Sequence, residues 1–310
     1  MTVYVDIVMI RTHALPDDYT PSHVDQVAWS IVAASVSSAV ASAAGTPSTT
    51  RRYRSHAAGF AAWAYREAGA VSASEIFRLE LIERYIEVGM PEAKESTRAT
   101  RRAVLRRIAR HAHPALAVAP GPSPIAYRRV RAPYEAREVA SYFRLAEAQP
   151  TPGRRDSLMA VLSLGLGCGL DCTDLGWVRG VDVRTTDGGV EVVVGGRRAR
   201  PVVCLSRHEQ RLADLAASAG ENLLIGGSVL GRQNVTSVTL GRLLQDSSVP
   251  PLVVSRLRST WLVSHLVANT PLPLIMHAAG LKTVRPLEDL LEFAPGYPDS
   301  EAARLLRAAG

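Results

Sequence analysis

Five prolines, Pro114, Pro120, Pro122, Pro124 and Pro133, punctuate residues 114–133 of a 310-residue chain. Proline has no amide hydrogen to donate and a fixed φ, so neither a helix nor a central strand runs through such a stretch. A proline-rich segment of this length is a semi-rigid spacer. The chain is therefore expected to fold as separate regions on either side, each long enough to bury its own core. The reading places a helical domain at 47–113, a basic linker at 114–133 carrying Arg128, Arg129 and Arg131, and a second domain at 134–310. Residues 1–46 stand apart as an extension, and no internal repeat is visible.

Charge is distributed just as unevenly. Of 36 basic residues only Lys94 and Lys282 are lysine, and the chain's net charge is +7. Residues 1–46 carry Arg11 against four aspartates, whereas 47–133 hold 16 basic and 7 acidic side chains. The remaining 134–310 are nearly balanced. A positive field concentrated in one segment suits a polyanion, nucleic acid or an anionic membrane. A composition of 47% hydrophobic and 21% charged residues excludes a disordered tail. No run reaches the roughly 20 predominantly apolar residues of a membrane span. The nearest, Val27 to Ala44, is mostly Ala and Ser and reads as a helix packed on a neighbour. No basic and apolar leader opens the sequence, so a cytoplasmic protein is expected. Cys168, Cys172 and Cys204 form no CxxC pair, which argues against both a disulfide framework and a structural zinc.

Between 49 and 67, Tyr53, Phe60, Trp63 and Tyr65 among alanines predict a helix. Ser72 or Ser74 is a candidate cap for a second, with Ile76, Leu79, Leu81, Ile82, Tyr85 and Ile86 at helical spacing. A third opens at Ser96 or Thr97 and runs to about His113. Val104, Leu105, Ile108 and Ala112 share one of its faces. Arg98, Arg102, Arg106 and Arg110, four apart, form a stripe on another. Lacking interleaved acids, these four cations are expected to repel one another, and a phosphate backbone relieves that repulsion.

Downstream, helices are expected at 134–148 and 157–165. Residues 181–184, 190–194 and 201–205 read as three short strands, with Asp187-Gly188-Gly189 and Gly195-Gly196 as the turns of an antiparallel sheet. Further helices are expected at about 207–219, 235–245, 251–268, 271–279 and 286–293. The glycine run from Gly165 to Leu170 follows a helix and lacks a Lys-Ser/Thr, which disfavours a nucleotide loop. No serine elbow occurs, and no pair of carboxylates stands out from ordinary surface charge. No cofactor and no metal site is expected.

The order of elements resembles that of the tyrosine recombinases, or phage integrases, over about residues 47–293. Thr49 to Trp63 is similar to the opening helix of their core-binding domain. Tyr134, Glu135 and Glu138 resemble the start of their catalytic domain. Leu164 to Val183, which includes Gly169-Leu170-Asp171, is similar to their "GLR" stretch. Gly195 to Leu205 resembles their basic β-hairpin, Ser255-Arg-Leu-Arg258 their "H-x-L-R" motif, and Ala278 to Leu281 their "LGH". The resemblance implies a mainly α fold with a helical core-binding domain and an integrase-type domain carrying a small antiparallel sheet. It also implies a clamp around duplex DNA.

Family chemistry uses a tyrosine nucleophile, two arginines on the transition-state phosphate, and a lysine with histidine or tryptophan partners that manage protons. Carried over position by position, the first arginine is Asp171, the lysine is Arg197 or Arg198, the histidines are Ser255 and Leu281, and the tyrosine is Leu290. Arg258 alone matches, and it is open to a structural role as well. The nearest tyrosine is Tyr297. The sequence is thus read as a catalytically degenerate member: a sequence-preferring, nucleoid-associated binder of double-stranded DNA, with self-association on DNA left open. Its DNA contacts are expected from Arg51, Arg52, Arg54, the four-arginine stripe, the linker arginines, Arg197, Arg198, Arg256 and Arg258. Asp171 is expected to pair with Arg258 or a hairpin arginine. A divergent active recombinase and a protein-interaction module on the same fold are the alternatives.

Overall fold

A computed structural model describes residues 19–113, 123–126, 130–228, 234–243, 246 and 248–307. The chain divides into two compact units between Tyr127 and Arg128, inside the proline-rich stretch.

The first unit is helical: α1 (Gln26–Ala43), α2 (Pro47–Ala68), α3 (Ala73–Ile76), α4 (Leu79–Val88) and α5 (Glu95–Ala112). Asp25 caps α1, its carboxylate accepting from the amides of Val27 and Ala28. Thr46 caps α2 with Pro47 in the first turn, where a missing amide hydrogen costs nothing. One core gathers Trp29, Val32, Val36 and Val40 of α1, Phe60 and Trp63 of α2, Ile82 and Tyr85 of α4, and Leu105 and Ile108 of α5. Residues 26–43, set apart by sequence as an extension, thus belong to this core. By length and composition α1 also suffices to cross a bilayer, yet Trp29, Val32, Val36 and Val40 are buried within this unit. The single helix expected through Ile76 and Ile86 is broken. Ser72 and Glu75 form a reciprocal capping box on α3, and Arg78 is extended, so that Phe77 turns fully into the core.

The second unit comprises α6 (Ala136–Glu147), α7 (Pro152–Cys168), α8 (Cys172–Leu175), β1 (Val183–Thr186), β2 (Gly189–Val194), β3 (Arg200–Val203), α9 (Ser206–Ala219), α10 (Val235–Gly241), α11 (Val254–Val267), α12 (Leu272–Ala279), α13 (Arg285–Glu288) and α14 (Asp299–Arg307). The sheet is antiparallel in the order β1-β2-β3, with Val192 opposite Val183 on one side and Val202 on the other. Val190, Val192 and Val194 alternate inward, the period-two pattern of a half-buried strand. The first strand begins two residues later than expected because Gly180–Asp182 forms a 3₁₀ turn, closed by the Arg179 amide on the Asp182 carboxylate at 2.8 Å. The helix expected at 286–293 is α13 followed by a separate 3₁₀ turn at Leu291–Phe293.

Helix α7 is the spine of this unit, buried at every position from Ala160 to Cys168. The glycine run closes it. A Cβ at Gly165 would lie 2.8 Å from Leu257 Cβ, one at Gly167 2.7 Å from Cys204 Sγ, and one at Gly169 2.2 Å from the Trp261 ring. Gly169 also caps α7 in the left-handed conformation, φ +61°. These glycines therefore let α11 and the turn from β3 into α9 approach the spine, and the segment that follows Gly169 begins directly beside Arg258.

Candidate functional site

Three of the residues that the sequence reading set against the recombinase motifs, Asp171, Arg198 and Arg258, converge at the start of α8, the β2–β3 hairpin and the first turns of α11. Asp171 caps α8, accepting from the amides of Thr173 at 2.9 Å and Asp174 at 3.2 Å. Its Oδ1 also accepts from Arg198 at 2.6 Å. The expected pairing of Asp171 with a hairpin arginine is therefore present. The same Arg198 nitrogen reaches Asp174 Oδ1 at 2.8 Å, and Arg200 donates to Asp174 Oδ2 at 2.8 Å.

These two bridges differ in depth. The side chains of Asp174 and Arg200 are 3% and 4% exposed, whereas those of Asp171 and Arg198 are 29% and 32% exposed. Arg200 further donates to the carbonyls of Ala278 at 2.7 Å and Arg198 at 2.8 Å. Gly280 caps α12 there at φ +62°, and a Cβ on it would lie 3.1 Å from the Arg200 guanidinium carbon. Arg258 is buried and donates to the carbonyls of Gly169 and Ala279. Three guanidinium groups and two carboxylates thus share one cluster. Burial of Asp171 works against its charge, but the hydrogen bond and charge of Arg198, with Arg258 behind, hold its carboxyl below the ordinary range. Burial draws Arg258 down, and Asp171 and Asp174 favour its charged form.

The other residues that the sequence reading set against the motifs are a serine hydroxyl and two hydrocarbons, with neither a histidine nor a tyrosine among them. Ser255 is exposed at the opening of α11, Leu281 is half-buried against the core, and Leu290 is fully buried. Tyr297 is 46% exposed and donates its hydroxyl to the Asn269 side chain. Among the described residues, no three His, Cys, Asp or Glu side chains stand close enough to hold a metal.

Several arginines assigned to DNA are otherwise engaged. Arg54 is buried, 7% exposed, because the helical spacing of α2 turns it inward beside Tyr53, Ala57 and Ala58. The arginine stripe is not an unpaired row. Arg98 donates to the Ile86 carbonyl at 2.8 Å, Arg102 and Arg106 both bridge to Glu83 of α4, and Arg102 also donates to the Ser123 carbonyl. The neutralising acid comes from a neighbouring helix, so spacing along α5 alone does not reveal it. Arg110 is exposed, and so is Arg107, which the stripe omitted. Arg51, Arg52 and Arg131 are exposed too.

Arg256 is structural. It meets both carboxylate oxygens of Glu138 at 3.0 Å, donates to the carbonyls of Ala132 and Pro133, and lies 3.9 Å over the Tyr134 ring. This tie fixes the entry to α6 on α11. Arg198 and Arg258 are committed to the cluster. Arg197 lies in the Gly196–Arg198 3₁₀ turn, with its side chain outside the described residues, as are Arg128 and Arg129. Asp174 is the functional position that sequence reasoning missed. Its one signal was its place three residues after Asp171, which puts both carboxylates at the opening of the same short helix.

No protein-family model and no curated protein matches this chain. Solved structures do. The XerH site-specific recombinase bound to its palindromic difH substrate, a post-cleavage complex, is 12% identical with a TM-score of 0.56, covering 83% of this chain and 80% of that one. The Tn1549 transposon integrase in complex with circular intermediate DNA is 10% identical with a TM-score of 0.57, covering 88% and 99%. A lambda integrase dimer bound to a COC′ core site is 14% identical with a TM-score of 0.57, covering 85% and 95%. At these identities the likeness is one of fold: a mainly helical chain with a small three-stranded antiparallel sheet, built as the tyrosine recombinases are built.

Proposed function

We propose that this chain binds double-stranded DNA on a tyrosine-recombinase fold without cutting it, as a regulatory or architectural protein of the nucleoid. The observation that carries the reading is the Asp171–Arg198 bridge. A carboxylate stands where the family sets a phosphate-clamping arginine, and it engages the neighbouring hairpin cation itself. Arg258, the one aligned arginine that persists, donates to two backbone carbonyls. Leu290 brings a fully buried hydrocarbon to the nucleophile position. Phosphodiester transfer requires a nucleophile, a proton donor and converging positive charge free to meet a phosphate, whereas the guanidinium groups of this cluster are engaged by two carboxylates and by backbone carbonyls.

Affinity for DNA is drawn instead from exposed cations of the basic segment: Arg51, Arg52, Arg107, Arg110 and Arg131. Each neutralised phosphate releases counterions, so the slope of log K against log salt steepens by about 0.9 for every arginine that meets one. Binding to random-sequence duplexes across a salt series tests this. Arg107→Ala with Arg110→Ala is expected to flatten the slope by about 1.8. Arg102→Ala with Arg106→Ala is expected to leave it unchanged while weakening the fold. The reverse pattern, or binding indifferent to salt, would overturn the assignment.

The second reading, an active divergent recombinase, is favoured by one observation: the exposed Tyr297 hydroxyl lies seven residues beyond the aligned nucleophile position. A covalent complex abolished by Tyr297→Phe would establish it.

A further inference from the structure

The first unit contains a cleft of about 230 Å³ that the DNA-binding reading does not use. Its lining includes His23, Gly59, Trp63, Arg66, Tyr85 and Arg101. At roughly 30 Å³ per water, the space holds a phosphate group with several waters. Gly59 and Gly89 keep it open around Tyr85. A Cβ on Gly59 would sit 3.3 Å from the Tyr85 hydroxyl, and one on Gly89 would sit 2.3 Å from the Tyr85 ring.

Arg101 is partly buried here. It donates to the Tyr85 hydroxyl at 3.2 Å and reaches Met90 Sδ at 3.8 Å, while its buried Nε meets no acceptor. Among the described residues, neither Arg101 nor Arg66 forms an ion pair. Asp25 is the one carboxylate in the lining, and it accepts from the Val27 and Ala28 amides as the cap of α1. His56 lies beside Arg101, its Nδ1 buried and unpartnered. Burial, then Arg101 and Arg52, push its pKa below the ordinary value.

A buried guanidinium nitrogen without an acceptor is costly, and the cost is relieved when an anion supplies one. From the cleft, the two unpaired arginines and the orphaned Nε, we infer that this is a phosphate-binding pocket, with Arg101 as its anchor and Arg66 at its mouth. The phosphate is either a group on the DNA backbone or a free phosphate or phosphomonoester. The chemistry that recognises it is the same.

The test uses the full chain. Inorganic phosphate is titrated at constant ionic strength against chloride, with the His56 imidazole followed by NMR over a pH series. The expected result is a saturable response and a rise in the His56 pKa, since a bound anion offsets the Arg101 charge. Arg101→Gln should weaken phosphate binding by about tenfold, the effect of removing a charged hydrogen bond. Arg66→Ala, at an exposed position, should weaken it severalfold and covers the case in which Arg101→Gln fails to fold. Arg84→Ala, at an exposed bridge outside the cleft, should change nothing. A response no larger than that to chloride, or equal binding by Arg66→Ala and wild type, would overturn the proposal. A short duplex that competes with phosphate at this pocket assigns the ligand to the DNA backbone. Failure to compete assigns it to a free phosphate or phosphomonoester, and this arm leaves the reading of the second unit untouched.

Discussion

Removing one carboxylate at a time from the arginine cluster has two different consequences, and their ratio is set by depth. Asp174 is 3% exposed and bridges Arg198 and Arg200, the latter 4% exposed. Asp174→Ala therefore strands the buried Arg200 charge and should destabilise the second unit by about 3–5 kcal/mol. For a unit of this size that lowers Tm on the order of 10 °C. The side chains of Asp171 and Arg198 keep about a third of their surface in water, so solvent screens most of that bridge. Asp171→Ala should cost about 1–2 kcal/mol, the sum of a partly exposed ion pair and a missing helix cap. Native-state hydrogen exchange at the amides of Val192 and Val202, paired inside the sheet, reports this unit apart from the first. Equal costs for the two substitutions, or an Asp174→Ala cost below about 1 kcal/mol, would refute the argument from burial.

Gly169→Ala should be among the most damaging small substitutions, at about 2 kcal/mol or more. It combines a positive φ with a Cβ 2.2 Å from the Trp261 ring, and urea unfolding checks it. His208 is buried and its pKa is pushed down to about 4 by burial and then by Arg207 and Arg211. Its unfolded value is about 6.5, so the unfolded chain binds the extra proton first. Stability is full above that value and declines as pH falls toward about 4. His208→Leu should flatten the decline in a pH series of thermal melts. Asp171 has a depressed folded pKa, so its contribution is present above the ordinary carboxylate value and lost as pH falls through the lower folded value. Asp171→Asn should reduce the acid-side loss in the same series.

Much of the architecture was legible because it rests on local signals. Helical spacing located α2, α5, α6 and α9, and alternation with Asp187-Gly188-Gly189 located the hairpin. What escaped depends on partners distant in sequence. Arg102 and Arg106 on α5 look unpaired until Glu83 of α4 is brought against them. Arg256 looks like a DNA contact until Glu138, more than a hundred residues earlier, meets it. Asp174 is a charged residue whose burial no local pattern announces. The α3–α4 break falls at Phe77 and the extended Arg78, where full burial of the Phe77 ring accompanies the interruption of a strongly periodic helix. At the candidate site, the resemblance to the integrase motifs is what led to the expectation that Asp171 meets a hairpin arginine, and Arg198 is that arginine. The depth of Asp174 was not legible.

The central claim is that DNA is bound and left intact, and covalent capture tests it most directly. Suicide duplexes bearing nicks, drawn from a pool selected for binding, are incubated with the full chain and resolved under denaturing conditions. The account predicts salt-sensitive retention of duplex under native conditions and no protein–DNA band after denaturation, for wild type and Tyr297→Phe alike. A denaturation-resistant complex formed by wild type and lost in Tyr297→Phe would contradict it.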